Sequence, residues 1–122
     1  MLAGKRAVRV GDQIFKEISY LLLERVTDPR VKGVTITGVD LSKDLKRARV
    51  FFSIMGDQDQ VKRAQTGLDS AKGYIKREMG FRMTLKYIPE IMFIYDPSLK
   101  SGSEMEKLFE KLKSDESRKD TE

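Results

Sequence analysis

From Lys5 to Arg25 the apolar residues Ala7, Val10, Ile14, Ile18, Leu21 and Leu22 recur at steps of three and four, the period at which side chains share one face of an α-helix. An amphipathic helix is predicted there. Asp28-Pro29 is expected to end it, because proline cannot extend a helical ladder and keeps the preceding residue extended. Val34 to Leu41 is rich in β-branched residues, and Arg47 to Met55 alternates strictly. Ala48, Val50, Phe52 and Ile54 fall on one face, with Arg47, Arg49, Phe51 and Ser53 on the other. Two strands follow from this alternation, joined as an antiparallel hairpin across Ser42-Lys43-Asp44.

Asp57 and Gln60 have the spacing of a capping box, and Val61, Ala64, Leu68, Ala71, Ile75 and Met79 then trace a second helical stripe. Gly67 and Gly73 interrupt it, each costing a helix interior about 1 kcal/mol relative to alanine. A kink or tight turn between two helices is therefore expected over Ser70-Ala71-Lys72-Gly73. Met83 to Tyr95 predicts a third strand, with Pro89 at an edge position or bulge. The continuous apolar run from Ile91 to Tyr95 is expected at the centre of the sheet. Ser103 and Glu106 are expected to cap a short last helix carrying Met105, Leu108, Phe109 and Leu112, and residues 113–122 are expected to form a charged, disordered tail. A strand, helical crossover and strand in one sheet give parallel neighbours. The expectation is a two-layer α+β domain over residues 1–112 with a three-stranded mixed sheet.

Composition narrows the chemistry. The 122 residues contain no Cys and no His, which removes disulfides, thiolate nucleophiles, zinc fingers and His-based acid–base catalysis. No Walker loop or dinucleotide fingerprint is present. The carboxylate near-pairs Asp57/Asp59 and Glu104/Glu106 sit at predicted helix starts, where acids are stabilising for structural reasons. A non-enzyme without cofactor or metal is expected. No run approaches a membrane span and no signal-peptide core opens the chain, so a cytoplasmic location without membrane association is expected.

The formal net charge is +5, and Lys113 to Glu122 holds three basic and four acidic residues, so the positive excess belongs to residues 1–112. Such a domain favours a polyanionic partner, since neutralising phosphates releases condensed counterions. Lys62, Arg63, Lys72, Lys76, Arg77, Arg82 and Lys86 surround the glycine-bearing turn, with few acids to balance them. They are either a phosphate-contacting surface or a solvated helix face. Gly73 either lets backbone amides approach a phosphate, as the glycine loop of KH modules does, or lets the helix pack closely on the sheet. The Gly-x-x-Gly sequence of that loop is absent. Lys5, Arg6 and Arg9 oppose the macrodipole at the start of the first helix, favouring an external anion. Arg47, Arg49 and Phe51 could stack a base and hold phosphates, or simply cover the strand.

In order along the chain stand Asp28-Pro29-Arg30-Val31, Val34-Thr35 with Val39, and Ser42-Lys43-Asp44-Leu45 with Ala48 and Val50. Ala71-Lys72-Gly73-Tyr74-Ile75-Lys76-Arg77 and Pro89-Glu90-Ile91 with Phe93, Asp96 and Ser98 follow. In these five stretches, from about Arg6 to Leu112, the chain resembles ribosome-binding factor A, a bacterial assembly-factor family. The resemblance implies a type II KH-like fold with an Ala-x-Gly kink in place of Gly-x-x-Gly. It also implies binding to the immature small ribosomal subunit and its ribosomal RNA, late processing of that RNA, support of growth in the cold, and action alongside assembly GTPases. Phe51 departs from the tyrosine frequent in the family, and the tail is short. The expected RNA-binding set is Ser70, Ala71, Lys72, Gly73, Lys76, Arg77, Arg82, Lys62, Arg63, Arg47, Arg49, Lys5, Arg6 and Arg9, on a protein monomeric when free. Two rival readings are a protein adaptor that docks through its last helix, and a peripheral membrane protein using the basic first helix.

Overall fold

The computed structural model describes residues 5–97; the helix expected from Ser103 and the charged tail lie outside them. Helix α1, Lys5–Glu24, buries Ala7, Val10, Ile14, Ile18, Leu21 and Leu22, the stripe read from the sequence, together with Gly11. It stops four residues before Asp28, where the amides of Arg25 and Val26 both donate to the Leu21 carbonyl at 2.9 and 2.8 Å. Asp28-Pro29 does not end this helix. Instead it starts a single 3-10 turn, Pro29–Val31. The Asp28 carboxylate accepts the Arg30 amide at 2.9 Å and the Arg30 guanidinium at 2.6 Å.

Strands β1, Thr35–Leu41, and β2, Arg47–Ser53, pair antiparallel with Val39 opposite Val50 and Leu41 opposite Ala48, and a bulge falls between Ile36 and Gly38. In the connecting loop Leu45 takes a left-handed conformation at φ 63°. The loop is held by Asp44, which accepts the Ser42 hydroxyl at 2.6 Å and the Lys46 amide at 3.0 Å. Ala48, Val50 and Phe52 are buried and Arg47 and Arg49 exposed, as alternation requires, but Ser53 is buried rather than on the open face.

Helix α2, Gln58–Arg82, begins with the expected capping box. The Gln60 amide donates to the Asp57 carboxylate at 3.0 Å and the Asp57 amide to the Gln60 side chain at 3.1 Å. It then runs unbroken through Ser70–Gly73, so the two helices expected on either side of a turn are one. The reason is register: Ala64, Leu68, Ile75 and Met79 stay on one buried face across the glycines, so one surface holds both halves against the helix-breaking cost.

Strand β3, Glu90–Tyr95, lies parallel to β2 with Ile91 opposite Ala48 and Phe93 opposite Val50. The strand predicted from Met83 starts only after Pro89, and the strand order β1-β2-β3 puts β3 at an edge rather than the centre. Met83, Leu85 and Ile88 instead fill the crossover, packed against the core from a non-strand segment. Along β3 the run is apolar on both sides because Ile91 and Phe93 enter the core while Met92 stays 56% exposed. The sheet is mixed and three-stranded, as expected. α1 lies against β1 and α2 against β3. Ile14, Ile18, Leu21, Val50, Phe52, Leu68, Ile75 and Met79 form a core between the two layers that excludes water.

Candidate nucleic-acid interface

Two rows of residues run along the two flanks of α2 beside its buried face at alternating steps of three and four. The first, Lys62, Gln65, Asp69, Lys72 and Lys76, borders β3. Gln65 donates to the Phe93 carbonyl at 2.9 Å, Lys72 lies 3.4 Å from Asp69, and Lys76 donates to Glu90 at 2.7 Å. The second, Arg63, Gly67, Ser70, Tyr74 and Arg77, borders the 3-10 turn. A Cβ on Gly67 would stand 2.8 Å from the Val31 side chain and 3.0 Å from the Arg30 Cβ. Arg77 lies over the Tyr74 ring at 5.8 Å.

Both expectations for Gly73 need correction. A Cβ there would meet nothing within 4 Å, so close packing is not its role; Gly67 has that role. Nor does a turn free any amide, because inside a continuous helix each N–H donates to a carbonyl one turn back. What the exposed Ser70 and Gly73 leave is a low surface beside Lys76 and Arg77, while Ala71 faces inward and packs against the core. An anion meeting this surface meets side-chain cations rather than a backbone cradle.

Several of the expected cations are already paired within the molecule. Arg82 donates to Glu17 at 2.6 Å and lies 4.6 Å over the Tyr20 ring, Arg49 is paired with Asp40, and Lys76 and Lys72 have the partners above. Among the described residues Lys62, Arg63, Arg77, Arg47, Lys5, Arg6 and Arg9 form no ion pair with an acidic residue.

The cations do not form one patch. Gly11 of α1 faces Leu41, which places Lys5, Arg6 and Arg9 toward the hairpin end of the sheet. At that end the Glu90 amide donates to the Lys46 carbonyl at 2.8 Å, Arg47 stands opposite Glu90 in the register, and Lys76 reaches the Glu90 carboxylate. Lys72 and Lys76 thus converge on the Glu90 carboxylate, and the backbone of Lys46 and Arg47 runs beside Glu90. The Lys76 hydrogen bond, and then the charges of Lys76 and Lys72, hold the Glu90 carboxyl below its usual range. Lys62 and Arg63 lie toward the opposite end, where Arg63 and Arg30 approach Asp28 and help hold its carboxyl low, the Arg30 hydrogen bonds acting most strongly. Lys46 and Arg30 are absent from the set read off the sequence. The backbone bond that brings Lys46 beside Glu90 has no signature in sequence spacing, and Arg30 comes beside α2 only through the close approach at Gly67.

The family profile of ribosome-binding factor A matches residues 6–109. The chain belongs to the ribosome-binding factor A family. Ribosome-binding factor A of Citrifermentans bemidjiense is 42% identical over 108 residues, covering 88% of this chain and 91% of the relative. That of Halothermothrix orenii is 42% identical over 112 residues, 92% of each chain. A solution structure of a ribosome-binding factor A from Thermotoga maritima superposes with a TM-score of 0.68 at 30% identity, over 80% of this chain and 93% of that one. The crystal structure of ribosome-binding factor A from Thermus thermophilus gives 0.67 at 18% identity, over 76% and 98%, and so bears on the fold alone. The KH-like architecture implied by the resemblance is the one this family adopts. Coordinates of the Thermus thermophilus factor have also been fitted into a cryo-EM map of its 30S complex.

Proposed function

We propose that this protein is a non-catalytic assembly factor that binds the immature small ribosomal subunit through its ribosomal RNA and assists late maturation and processing of that RNA. Membership of the ribosome-binding factor A family carries the reading, and the small-subunit complex of the Thermus thermophilus factor supports the choice of partner. The cations around Ser70–Arg77 supply the chemistry: Lys72, Lys76 and Arg77 meet phosphates, while Lys46, Arg47, Lys5, Arg6 and Arg9 extend the path toward the hairpin end. Arg82 and Arg49 enter it only by exchanging Glu17 and Asp40 for phosphate. Surface ion pairs contribute little to stability, so that exchange is open to them. Lys62 and Arg63 form a separate contact at the other end of α2.

Binding assists maturation only where the protein holds one RNA conformation more tightly than another. The protein acts in the cytoplasm, as a monomer when free, supports growth in the cold and works alongside assembly GTPases. The test is co-sedimentation with immature and with mature small subunits at equal concentration. Preferential retention on the immature particle is expected; equal retention on both would remove the maturation role.

A further inference from the structure

Two aromatic rings project from the fold at the far end of α2. Phe81 is 79% exposed in its last turn, and Tyr87 is 64% exposed in the crossover that follows. The crossover folds back there: a Cβ on Gly80 would stand 3.8 Å from the Ile88 side chain, which brings Lys86 and Tyr87 beside the end of the helix. Phe81 lies four residues beyond Arg77 and so extends the row Arg63, Gly67, Ser70, Tyr74 and Arg77 by one turn. Each ring has a cation at hand. Lys86 lies 5.6 Å over the Tyr87 ring, and Arg77, between Tyr74 and Phe81 on the row, lies over Tyr74. Among the described residues neither Arg77 nor Lys86 pairs with an acid. The acids flanking them in sequence, Glu78 and Glu90, face Arg25 at 3.9 Å and Lys76 at 2.7 Å. Arg82, by contrast, is turned to Glu17 and Tyr20 of α1.

Single exposed apolar side chains are ordinary on a protein surface. Here two rings share one end of a helix, and the cations set among them break up the contiguous apolar area that the core of a protein–protein contact needs. An aromatic ring beside a free cation suits a nucleotide instead, the ring taking the face of a base and the cation a phosphate. In a duplex both faces of a base are covered by its neighbours, so such a ring is open only to an unpaired base. We propose that Phe81 and Tyr87 are stacking platforms for unpaired bases of ribosomal RNA, with Arg77 and Lys86 holding the adjoining phosphates. Lys72 to Phe81 measures about 14 Å along the helix, so one single-stranded segment of a few nucleotides reaches both the cations of α2 and these rings. Such a surface, resting on the RNA-binding function proposed above, selects single-stranded over helical RNA.

The full-length wild type, Phe81→Leu, Tyr87→Leu and Phe81→Tyr, each first shown to be folded by circular dichroism, would be titrated against an oligoadenylate and against an RNA duplex of the same length across a salt series. Co-sedimentation of each with small ribosomal subunits would run alongside. The wild type should bind the oligoadenylate more tightly than the duplex. Each leucine variant should bind it about five-fold or more weakly with an unchanged salt dependence, because a ring is lost and no charge, and Phe81→Tyr should bind as the wild type does. Leucine variants that hold the oligoadenylate as tightly as the wild type, or a wild type that does not prefer it to the duplex, would overturn the proposal. Wild-type co-sedimentation retained in either case leaves the small-subunit function standing, whereas its loss removes both. Leucine variants that leave the small subunit while keeping the oligoadenylate would set the rings against ribosomal protein and overturn the proposal too.

Discussion

At the scale of single residues, the two glycines of α2 separate what composition makes alike. A methyl group at Gly73 enters open space, so Gly73→Ala should stabilise the fold by about 0.5–1 kcal/mol through helix propensity alone. At Gly67 the same methyl collides with Val31 and Arg30, an overpacking that typically costs about 1–3 kcal/mol and outweighs the propensity gain. Chemical denaturation of the two variants should therefore move in opposite directions, and a stabilising Gly67→Ala would contradict the packing described. No spacing rule could assign these roles, because both glycines interrupt the same stripe and only the turn at Pro29–Val31 tells them apart. The carboxylates of the half-buried Asp28 and the exposed Asp44 and Glu90 carry a second expectation. Each is held below its ordinary value, 3.8 for the two aspartates and 4.5 for Glu90, mainly by hydrogen bonds from Arg30, Ser42 and Lys76 in turn. A lowered carboxyl contributes stability that is complete above the ordinary value and lost as pH falls through the lowered one. Thermal melts should thus decline from those values downward, and Asp28→Asn should be less stable at neutral pH with a flatter acid limb.

At the scale of elements, the first helix, the hairpin and the capping box were legible because each rests on local pattern. Asp57→Ala should cost about 1 kcal/mol by freeing the Gln60 amide, measurable as a shift in denaturation midpoint at constant slope. The failures came where tertiary packing overrode local signals. Gly73 and its neighbours suggested a broken helix, but one buried register on both sides keeps α2 whole. Met83, Leu85 and Tyr87 alternate like a strand, yet Leu85 and Ile88 pack inward from a crossover that pairs with nothing. The apolar run of β3 suggested a central strand. It lies at an edge, paired only with β2, and the run misled because Met92 and Ile94, on the face away from the core, are as apolar as Ile91 and Phe93 on the face toward it, a composition usually found where both faces are buried.

At the scale of the whole molecule, positive excess was legible as composition, but its distribution was not. Cationic residues separated by tens of positions come beside Glu90 because β3 returns parallel to β2 and α2 lies along it; others read as one set stand at the far end. This arrangement makes Glu90 an internal competitor for Lys76. Glu90→Gln should strengthen binding to small subunits by releasing that lysine, a change in the direction opposite to any loss of structure. The most direct test of the account compares the wild type with a Lys72→Glu, Lys76→Glu, Arg77→Glu variant for co-sedimentation with isolated small subunits across a salt series. Circular dichroism would first establish that both are folded. The account predicts wild-type affinity that falls steeply with salt, as phosphate neutralisation requires, and binding largely lost in the variant. Equal binding by the two, or a flat salt profile, would contradict it.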